Sequence, residues 1–381
     1  MTPERLAQLT TLRQALHRIP EVSGAEEKTA AFITEYLREF APDHLLTGLG
    51  GHGVAAVYDG AAEGPTVMIR CELDGLPIPE LSDQPYRSTH VGRGHLCGHD
   101  GHMTMVAALA EELSATRPAR GRVVLMFQPA EETGKGAPAV VADPAFADIA
   151  PDYAFSLHNL PGLPVGQIAL CCGPANCASR GMRIRLSGRT SHAAAPQDGV
   201  SPAGAMAQLL PGLVALGGGA DLGADYALVT LTHARLGEAT FGIAPGEGEV
   251  WATLRTVNDT RMARLIEEAT ALVAGICADQ GLGHDISFDD VFEACTNDAE
   301  AADLLQTACA RIGLDVVLHD RPQRWSEDFG QFGKGAKAAM FWLGSGEDQP
   351  QLHNPDYDFP DAAIPVGVSV FRQVLQEILA S

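Results

Sequence analysis

The chain has 381 residues, enough for two compact domains, and its 26 basic and 48 acidic residues give a formal net charge of −22. This acidity argues against a nucleic-acid partner and against an anionic membrane surface, since both require clustered lysine and arginine. Hydrophobic residues make up 46% of the chain and charged residues 19%, which predicts a sizeable core and excludes wholesale disorder.

The cysteine pattern and the N-terminus bear on the compartment. The eight cysteines show no spacing typical of a disulfide framework, which favours reduced thiols in a cytoplasmic protein. Residues 1–20 mix charged side chains with leucines and contain no apolar stretch typical of a signal peptide. No uninterrupted apolar run reaches about 18 residues, so we expect no membrane-spanning helix and no membrane partner.

The first part of the chain alternates helices with short apolar strands. Leucines three and four positions apart from Leu6 to Leu16 predict an opening helix, and Ser23 with Glu26 resembles a capping box for a second helix. A further helix is predicted over 103–113, and buried strands are predicted over 54–58, 66–69, 123–127 and 153–157. Strands alternating with helices predict an α/β fold with a mixed, mostly parallel sheet flanked by helices.

From about Gly181 the pattern changes to alternating strands and two longer helices. Strands are predicted over 182–186, 227–232 and 249–255, and helices over 201–216 and 262–278. A core strand over 339–343 and a closing helix over 364–379 then return to the first domain. We therefore predict that residues 1–180 and 292–381 form one domain and that residues 181–291 form an inserted, smaller α+β domain.

A cluster of potential ligands directly precedes the helix predicted at 103. Residues 94–102 read Gly-His-Leu-Cys-Gly-His-Asp-Gly-His, which places a thiol, imidazoles and a carboxylate within a few positions. These groups are ligands of divalent metal ions in proteins. The alternative is a helix-capping loop in which Asp100 is the N-cap and the histidines are solvated.

Three further features stand at predicted strand ends or in loops. Glu131 and Glu132 follow a strand, where open α/β sheets place their ligands, although an isolated pair of glutamates is more often a solvated acidic turn. His158 closes the next strand and His353 lies in a loop near the C-terminus, and each is a weak signal alone. Together with the cysteine-histidine cluster they form a ligand set typical of Zn, Mn, Co or Ni.

The order of these motifs resembles the hippurate-hydrolase and auxin-conjugate amidohydrolase branch of the metal-dependent aminoacylase/carboxypeptidase family. The matching segments span nearly the whole chain and lie at 16–21, 70–77, 97–102, 128–132, 188–194, 326–329 and 352–355. Cys-Gly-His-Asp-Gly-His together with Gln-Pro-Ala-Glu-Glu is the most specific pair. The resemblance implies a zinc-peptidase-like catalytic domain with an inserted lid or dimerisation domain.

The resemblance also implies roles in the catalytic domain. The ligands of two divalent metal ions would be Cys97, His99, Glu132, His158 and His353. Glu131 would be the general base for water attack on an amide carbonyl. Asp74 would orient a ligand imidazole, with a turn aspartate as the alternative, and Glu72 stands where the family commonly has aspartate. The family points to Mn²⁺, whereas a thiolate ligand favours Zn²⁺, Co²⁺ or Ni²⁺.

Two residues of the inserted domain are further candidates. His192 is implied to bind the oxyanion of the tetrahedral intermediate, with a turn histidine as the alternative. Arg255 is a candidate for holding a substrate carboxylate, with a surface salt bridge as the alternative. The chain departs from the family pattern at Gln197, Ser201 and Gly242, the last standing where an asparagine is common, and this leaves the substrate open.

The sequence thus predicts a metal-dependent amidohydrolase that cleaves the amide bond of an N-acyl amino acid, with the inserted domain as a candidate homodimer surface. A dipeptidase or carboxypeptidase with the same centre is one alternative. A non-catalytic metal-binding relative is another, against which the presence of Glu131 argues. A cysteine hydrolase using Cys97 with His99 is disfavoured, because the two residues are too close on a tight loop and the paired glutamates would be unexplained.

Overall fold

The structure, a computed structural model, describes residues 1–218 and 221–380. The helices are α1 Pro3–His17, α2 Glu27–Arg38, α3 His99–Ala115, α4 Gly136–Ala142, α5 Ala203–Ala215, α6 Asp259–Asp279, α7 Ala299–Arg311 and α8 Ile364–Leu379. The strands are β1 His44–Leu49, β2 Gly53–Asp59, β3 Thr66–Glu72, β4 Arg122–Gln128, β5 Tyr153–Pro161, β6 Ile168–Cys171, β7 Pro174–Asn176, β8 Ala178–Ser187, β9 Ser191–His192, β10 Ala227–Leu236, β11 Ile243–Ala244, β12 Glu247–Thr256, β13 Gly283–Phe292, β14 Cys295–Thr296, β15 Val316–His319 and β16 Lys337–Gly346. Short 3₁₀ helices are Glu131–Thr133, Pro144–Asp148, Pro196–Asp198, Asp328–Lys334 and Asp361–Ala363.

The chain divides into two compact units. The first comprises residues 1–175, 296–320 and 328–381, and the second comprises 176–295 and 321–327. The residue pattern predicts boundaries at 180 and 291 and places the short segment 321–327 in the first domain. That segment belongs to the second unit because the Cys177 N–H donates to the Gln323 carbonyl at 3.0 Å, and such main-chain pairing leaves no signal in the residue pattern.

The first unit is built on an eight-stranded mixed sheet with the order β1-β2-β4-β3-β5-β16-β6-β15. The neighbouring pairs β3–β4, β3–β5, β5–β16 and β6–β15 are parallel, and the other pairs are antiparallel. Every residue of β3 is buried, the pattern of a strand covered on both faces. The predicted fold class, a mostly parallel sheet with helices and a separate smaller domain, is confirmed.

The main core packs α1, α2, α3, α7 and α8 against one face of this sheet. The segment Asp361–Leu379, which includes α8, is long and apolar enough to cross a membrane by length and composition, and 56% of it is buried inside the fold. This segment is not an uninterrupted apolar run, because Arg372 and Glu377 lie within it. Phe371 and Val374 of this helix lie in the core, so packing accounts for its apolar face.

The second unit contains a four-stranded antiparallel sheet with the order β10-β12-β8-β13. Helices α5 and α6 pack on it, and side chains such as Ile184 of β8 and Leu265 of α6 share a core. Strands β9 and β11 form a separate two-stranded ladder. Strand β13 is absent from the predicted strands, because the pair Ile286 and Phe288 is its only apolar alternation and the residues around it are mostly exposed.

Helix α2 forms as predicted, but the predicted capping box is wrong. Glu21 caps the helix instead, since its Oε2 accepts two main-chain N–H groups of the first turn at 2.8 Å each. The Ser23 hydroxyl donates to Asp74 at 2.7 Å. The Glu26 side chain makes no cap bond and instead accepts the N–H of Ala130 at 2.8 Å. The side chains of Ser23 and Glu26 therefore form tertiary hydrogen bonds instead of the predicted local cap.

Candidate functional site

Three central strands of the first unit end at one edge of the sheet. Strands β4, β3 and β5 are adjacent and parallel, so their carboxyl ends lie together. Asp74 follows β3, the 3₁₀ turn with Glu131 and Glu132 follows β4, and His158 lies towards the end of β5. Strand topology therefore brings together residues that are separated in the sequence.

The Cys-Gly-His-Asp-Gly-His segment enters α3 and is not a loop before a helix at 103. The helix begins at His99, directly after Gly98, whose φ of +87° lies in the left-handed region. A Cβ at Gly98 would lie 2.4 Å from Oδ1 of Asn159, so only glycine fits there. His99 and His102 are buried, and the alternative of solvated histidines is wrong.

Cys97, His99 and His158 form one group of potential metal ligands. Their ligand atoms all lie within 4.8 Å of one another, and Cys97 Sγ is 3.5 Å from His158 Nε2. Nδ1 of His99 lies 2.8 Å from the main-chain oxygen of Asp74, and Nδ1 of His158 lies 2.9 Å from that of Asn159. Since only a protonated Nδ1 can donate there, the neutral form of each ring presents Nε2 as the electron-pair donor.

Glu131, Glu132 and His353 extend this group. His99 Nε2 is 3.9 Å from Glu131 Oε2 and 3.9 Å from Glu132 Oε1. Glu132 Oε2 is 3.5 Å from Nε2 of His353, whose side chain is 48% exposed at the rim. Glu132 and His353 also form a potential metal group with Cys97. The structure therefore brings together all five predicted ligands and the predicted base.

Two buried atoms of this cluster support a cation site. His99 Nε2 and Glu132 Oε1 have no hydrogen-bond partner among the described residues. Leaving a buried polar atom unpaired costs free energy, about 1–3 kcal/mol. A cation between these atoms would satisfy both. The donor set of sulfur, imidazole and carboxylate fits borderline-soft divalent ions, so these residues could hold such an ion.

The carboxylates control the protonation of their neighbours. Burial, together with the charges of Glu132 and Glu131, raises the pKa of the Cys97 thiol well above its usual range. Burial favours the neutral ring of His99, but the contact with Asp74 and the surrounding carboxylates outweigh it and raise the pKa of His99 to about 10. A Cys97 thiolate therefore needs positive charge beside it, which a bound divalent ion would supply.

Asp74 contacts His99 in a different way from the one predicted. Its main-chain carbonyl accepts the His99 hydrogen bond, whereas its carboxylate Oδ1 is 3.7 Å from Nδ1. The other carboxylate oxygen, Oδ2, accepts from the Ser23 hydroxyl at 2.7 Å and from the Glu132 N–H at 3.0 Å. Asp74 therefore orients the imidazole through its backbone and holds the Glu132 turn through its side chain.

A buried network that the sequence analysis did not predict lies beside these ligands. Glu72 Oε2 is 2.7 Å from Nδ1 of His102, and Glu72 also pairs with Arg70. Arg70 donates to Oε1 of Gln128 at 2.8 Å and to Oδ1 of Asp328 at 2.9 Å. All five residues lie inside segments that carry the family resemblance, which is the signal that could have identified them.

His192 of the second unit lies in the β9–β11 ladder, opposite Ile243. Its side chain is exposed, and its Nδ1 accepts the N–H of Ala194 at 3.0 Å. The neutral ring therefore carries its proton on Nε2, as an oxyanion donor requires. The Ala193 N–H donates to the carbonyl of Gly242 at 3.1 Å, so Gly242 contributes to this ladder through its main chain.

Arg255 and Ser201 make contacts that the sequence did not predict. Nη1 of Arg255 donates to the carbonyl of Arg324 and to the hydroxyl of Ser326 at 3.0 Å each. Both acceptors are neutral, unlike the carboxylate of the predicted salt bridge, and burial lowers the pKa of Arg255. Ser201 Oγ accepts the N–H of Ala203 at 3.3 Å, just at the start of α5.

Comparison with known proteins gives a consistent result. A family model described as peptidase family M20/M25/M40 matches residues 68–377. The chain is 30% identical to N-acetyldiaminopimelate deacetylase of Exiguobacterium sibiricum, across 96% of this chain and 98% of that protein. It is 28% identical to N-acetylcysteine deacetylase of Bacillus subtilis, across 97% of both. A Bacillus subtilis structure described as a dinuclear metal binding peptidase from the M20 family superimposes with a TM-score of 0.84, at 26% identity and covering 100% and 99% of the two chains.

Proposed function

Because the chain belongs to peptidase family M20/M25/M40 and is a hydrolase acting on amide bonds, we propose that it removes the acyl group from an N-acyl amino acid. Relatives named as deacetylases of N-acetyldiaminopimelate and of N-acetylcysteine support this substrate class. The motifs at 97–102 and 128–132 support a hippurate-like or related conjugate within that class.

One observation carries the proposal, namely the convergence of a metal-ligand set with an additional carboxylate. The ligands we assign to two divalent metal ions are Cys97, His99, Glu132, His158 and His353. The unpaired atoms His99 Nε2 and Glu132 Oε1 support a cation site, and the dinuclear Bacillus subtilis relative supports two ions. The family resemblance favours Mn²⁺, and the Cys97 thiol favours Zn²⁺, Co²⁺ or Ni²⁺.

The protein's own groups supply the proton transfers. When bound, divalent ions lower the pKa of water and polarise an amide carbonyl. The Glu131 side chain is only 6% exposed and lies beside His99. We assign it the base that takes the proton of the attacking water and delivers it to the leaving amine. His192, whose Nε2 carries the proton, is the donor we assign to the oxyanion.

We extend the proposal to the assembly and the compartment. We propose that the second unit provides a homodimer surface and that the protein acts in the cytoplasm. Phe241 is fully exposed and Ile243 is 54% exposed in the second unit, and exposed apolar side chains of this kind support an interface. Sedimentation of the wild type and of Phe241→Ser tests this, since the substitution should weaken the dimer; a monomeric wild type contradicts it.

A single preparation can test the reaction. Elemental analysis of the purified protein should give two divalent ions per chain, and a panel of N-acyl amino acids should release free amino acid. Activity should vanish with a chelator and return with added metal. Hydrolysis restricted to unacylated dipeptides would favour the dipeptidase alternative. Bound metal without hydrolysis of either panel would favour a non-catalytic relative.

A further inference from the structure

The turn that carries Glu131 and Glu132 begins with an unusual backbone conformation. Ala130 has φ +50° and ψ +41°, in the left-handed region that a residue with a Cβ atom rarely adopts. Such a conformation costs free energy and persists only where the surrounding structure holds it. The contacts that hold Ala130 therefore control the direction of the two glutamate side chains that follow.

Glu26 holds the beginning of this turn. Its side chain is fully buried, and its Oε1 accepts the N–H of Ala130 at 2.8 Å and the N–H of Gly24 at 2.9 Å. Asp74 holds the other end, since its Oδ2 accepts the N–H of Glu132 at 3.0 Å. Two carboxylates from distant parts of the sequence thus fix the turn at both ends.

The segment that carries Glu26 is itself fixed. Val22 forms a parallel bridge with Gly75, one residue beyond Asp74. The Ser23 hydroxyl donates at 2.7 Å to the same Asp74 oxygen that accepts the Glu132 N–H. The main-chain carbonyl of Glu26 accepts the N–H of Ala30 at 2.8 Å, so Glu26 is also tied to α2. Ser23, Glu26 and Asp74 therefore form one connected support for the turn, which we call the brace.

We propose that Glu26 is a positioning residue that holds the Ala130–Glu132 turn, and through it the carboxylates of Glu131 and Glu132, in their working orientation. The proposal rests on the function proposed above for those two glutamates. Glu26 acts through main-chain N–H groups and takes no part in the chemical step.

The acceptor oxygen of Glu26 is the functional atom of this contact. The other oxygen, Oε2, has no hydrogen-bond partner among the described residues. Burial and the charge of Asp74 raise the pKa of Glu26, so its surroundings tolerate a neutral side chain. Glu26→Gln keeps an acceptor oxygen at the same place, whereas Glu26→Ala removes it. A comparison of the two variants therefore separates the effect of losing the acceptor oxygen from the effect of any other change in the side chain.

Amide hydrogen exchange of residues 128–134 tests the brace without metal or substrate. Loss of a buried acceptor should speed exchange of the Ala130 amide by about tenfold or more in Glu26→Ala. Glu26→Gln should stay within about threefold of the wild type, since it keeps the acceptor. Glu27→Ala, an exposed neighbour, is the matched control and should match the wild type. If Glu26→Ala does not fold, Glu26→Asp, which withdraws the acceptor, replaces it with the same expectation.

Co²⁺ titration followed by visible absorption gives a second readout. Misdirected Glu132 should weaken Co²⁺ binding and change the spectrum in Glu26→Ala, and Glu26→Gln should restore both. In an active wild type, kcat of Glu26→Ala should fall more than KM rises, because Glu131 is misplaced.

The outcomes separate the two proposals. Wild-type exchange and a wild-type Co²⁺ spectrum in Glu26→Ala would overturn the brace while leaving the proposed function intact. A glutamine variant as perturbed as the alanine variant would overturn the acceptor role. A wild type that binds Co²⁺ but hydrolyses no N-acyl amino acid would overturn the proposed function. Amide hydrogen exchange and the Co²⁺ absorption spectrum would still test the role of Glu26 in that case.

Discussion

The two units hold their candidate functional residues in opposite kinds of environment. In the first unit His99, Cys97 and Glu131 are buried, and main-chain carbonyls orient the imidazoles. In the second unit His192 is exposed, and a two-residue ladder with one hydrogen bond from Ala194 sets its ring. Burial holds the candidate ligands and the candidate base in place without a bound substrate, whereas the orientation of the exposed His192 depends on its local backbone.

This difference predicts different consequences of substitution. The assigned metal ligands of the first unit should affect metal binding and catalysis together, because they converge on one cluster. Residues of the second unit should affect turnover, substrate affinity or local stability while leaving metal content unchanged.

The largest effect is expected for Glu131→Gln. This substitution keeps the size of the side chain and removes the base, so turnover should fall by about 10²–10⁴-fold. Metal content should stay at the wild-type level, because we assign ligation to Glu132. Steady-state kinetics and elemental analysis measure the two quantities. Near-normal turnover would exclude Glu131 as the base. It would then leave no functional difference between Glu131 as base and Glu132 as ligand.

A somewhat smaller effect is expected for His192→Ala in the second unit. Loss of an oxyanion donor should lower turnover by about 10²–10³-fold with little change in KM, since such donors act mainly in the transition state. His233→Ala is the matched control, because His233 is also an exposed histidine of the second unit. Loss of metal in His192→Ala would contradict the division between the two units.

Substitution of the assigned ligands should lower metal content. Glu132→Ala should lose more metal than His353→Ala, because Glu132 contacts both His99 and His353 while the His353 side chain is 48% exposed. Equilibrium dialysis followed by elemental analysis measures the content, and His44→Ala, an exposed histidine of the same unit, is the control. Unchanged metal content in both variants would exclude these residues as ligands.

A buried histidine of the first unit should make stability depend on pH. His17 Nδ1 is 2.9 Å from Asp100 and its Nε2 is 3.2 Å from Glu80. Burial favours the neutral ring, but the two carboxylates outweigh it and raise the pKa of His17 from 6.5 to about 10. The contribution of protonated His17 to the free energy of unfolding is therefore complete below pH 6.5 and is lost as the pH rises through about 10.

Urea denaturation of the wild type and of His17→Gln at a series of pH values measures this contribution. The free energy of unfolding of the wild type should decline across that window, and the glutamine variant should lack this part of the decline. Curves that run parallel for the two proteins would show that His17 does not hold a proton between the carboxylates.

The smallest effect is expected for Arg255→Ala. The loss of hydrogen bonds to two neutral acceptors should destabilise the second unit by about 1–2 kcal/mol. If Arg255 also binds a substrate carboxylate, KM should rise in Arg255→Ala but not in Ser326→Ala, which removes one of the same hydrogen bonds. Equal KM values in both variants would limit Arg255 to a structural role.

Residue type and spacing along the chain are enough to predict the fold class and the candidate residues of the site. Apolar runs such as 123–127 and 153–157 predict strands of the mixed sheet, because a strand buried on both faces consists of consecutive apolar residues. The cysteine-histidine segment and the paired glutamates supplied the candidate ligands, because metal chemistry depends on the identity of the donor atom. The resemblance carried by these segments predicts the family, and the match to peptidase family M20/M25/M40 confirms it at the level of the family, not of the branch.

The way in which these residues are held is visible only in the folded chain. The main-chain carbonyl of Asp74 orients His99, Glu26 supports Ala130, and the segment 321–327 joins the second unit. Each of these contacts involves a main-chain N–H or carbonyl group, which nearly every residue possesses and no side-chain pattern records. Their partners come from segments far apart in the chain, so the contacts exist only once the tertiary fold brings those segments together.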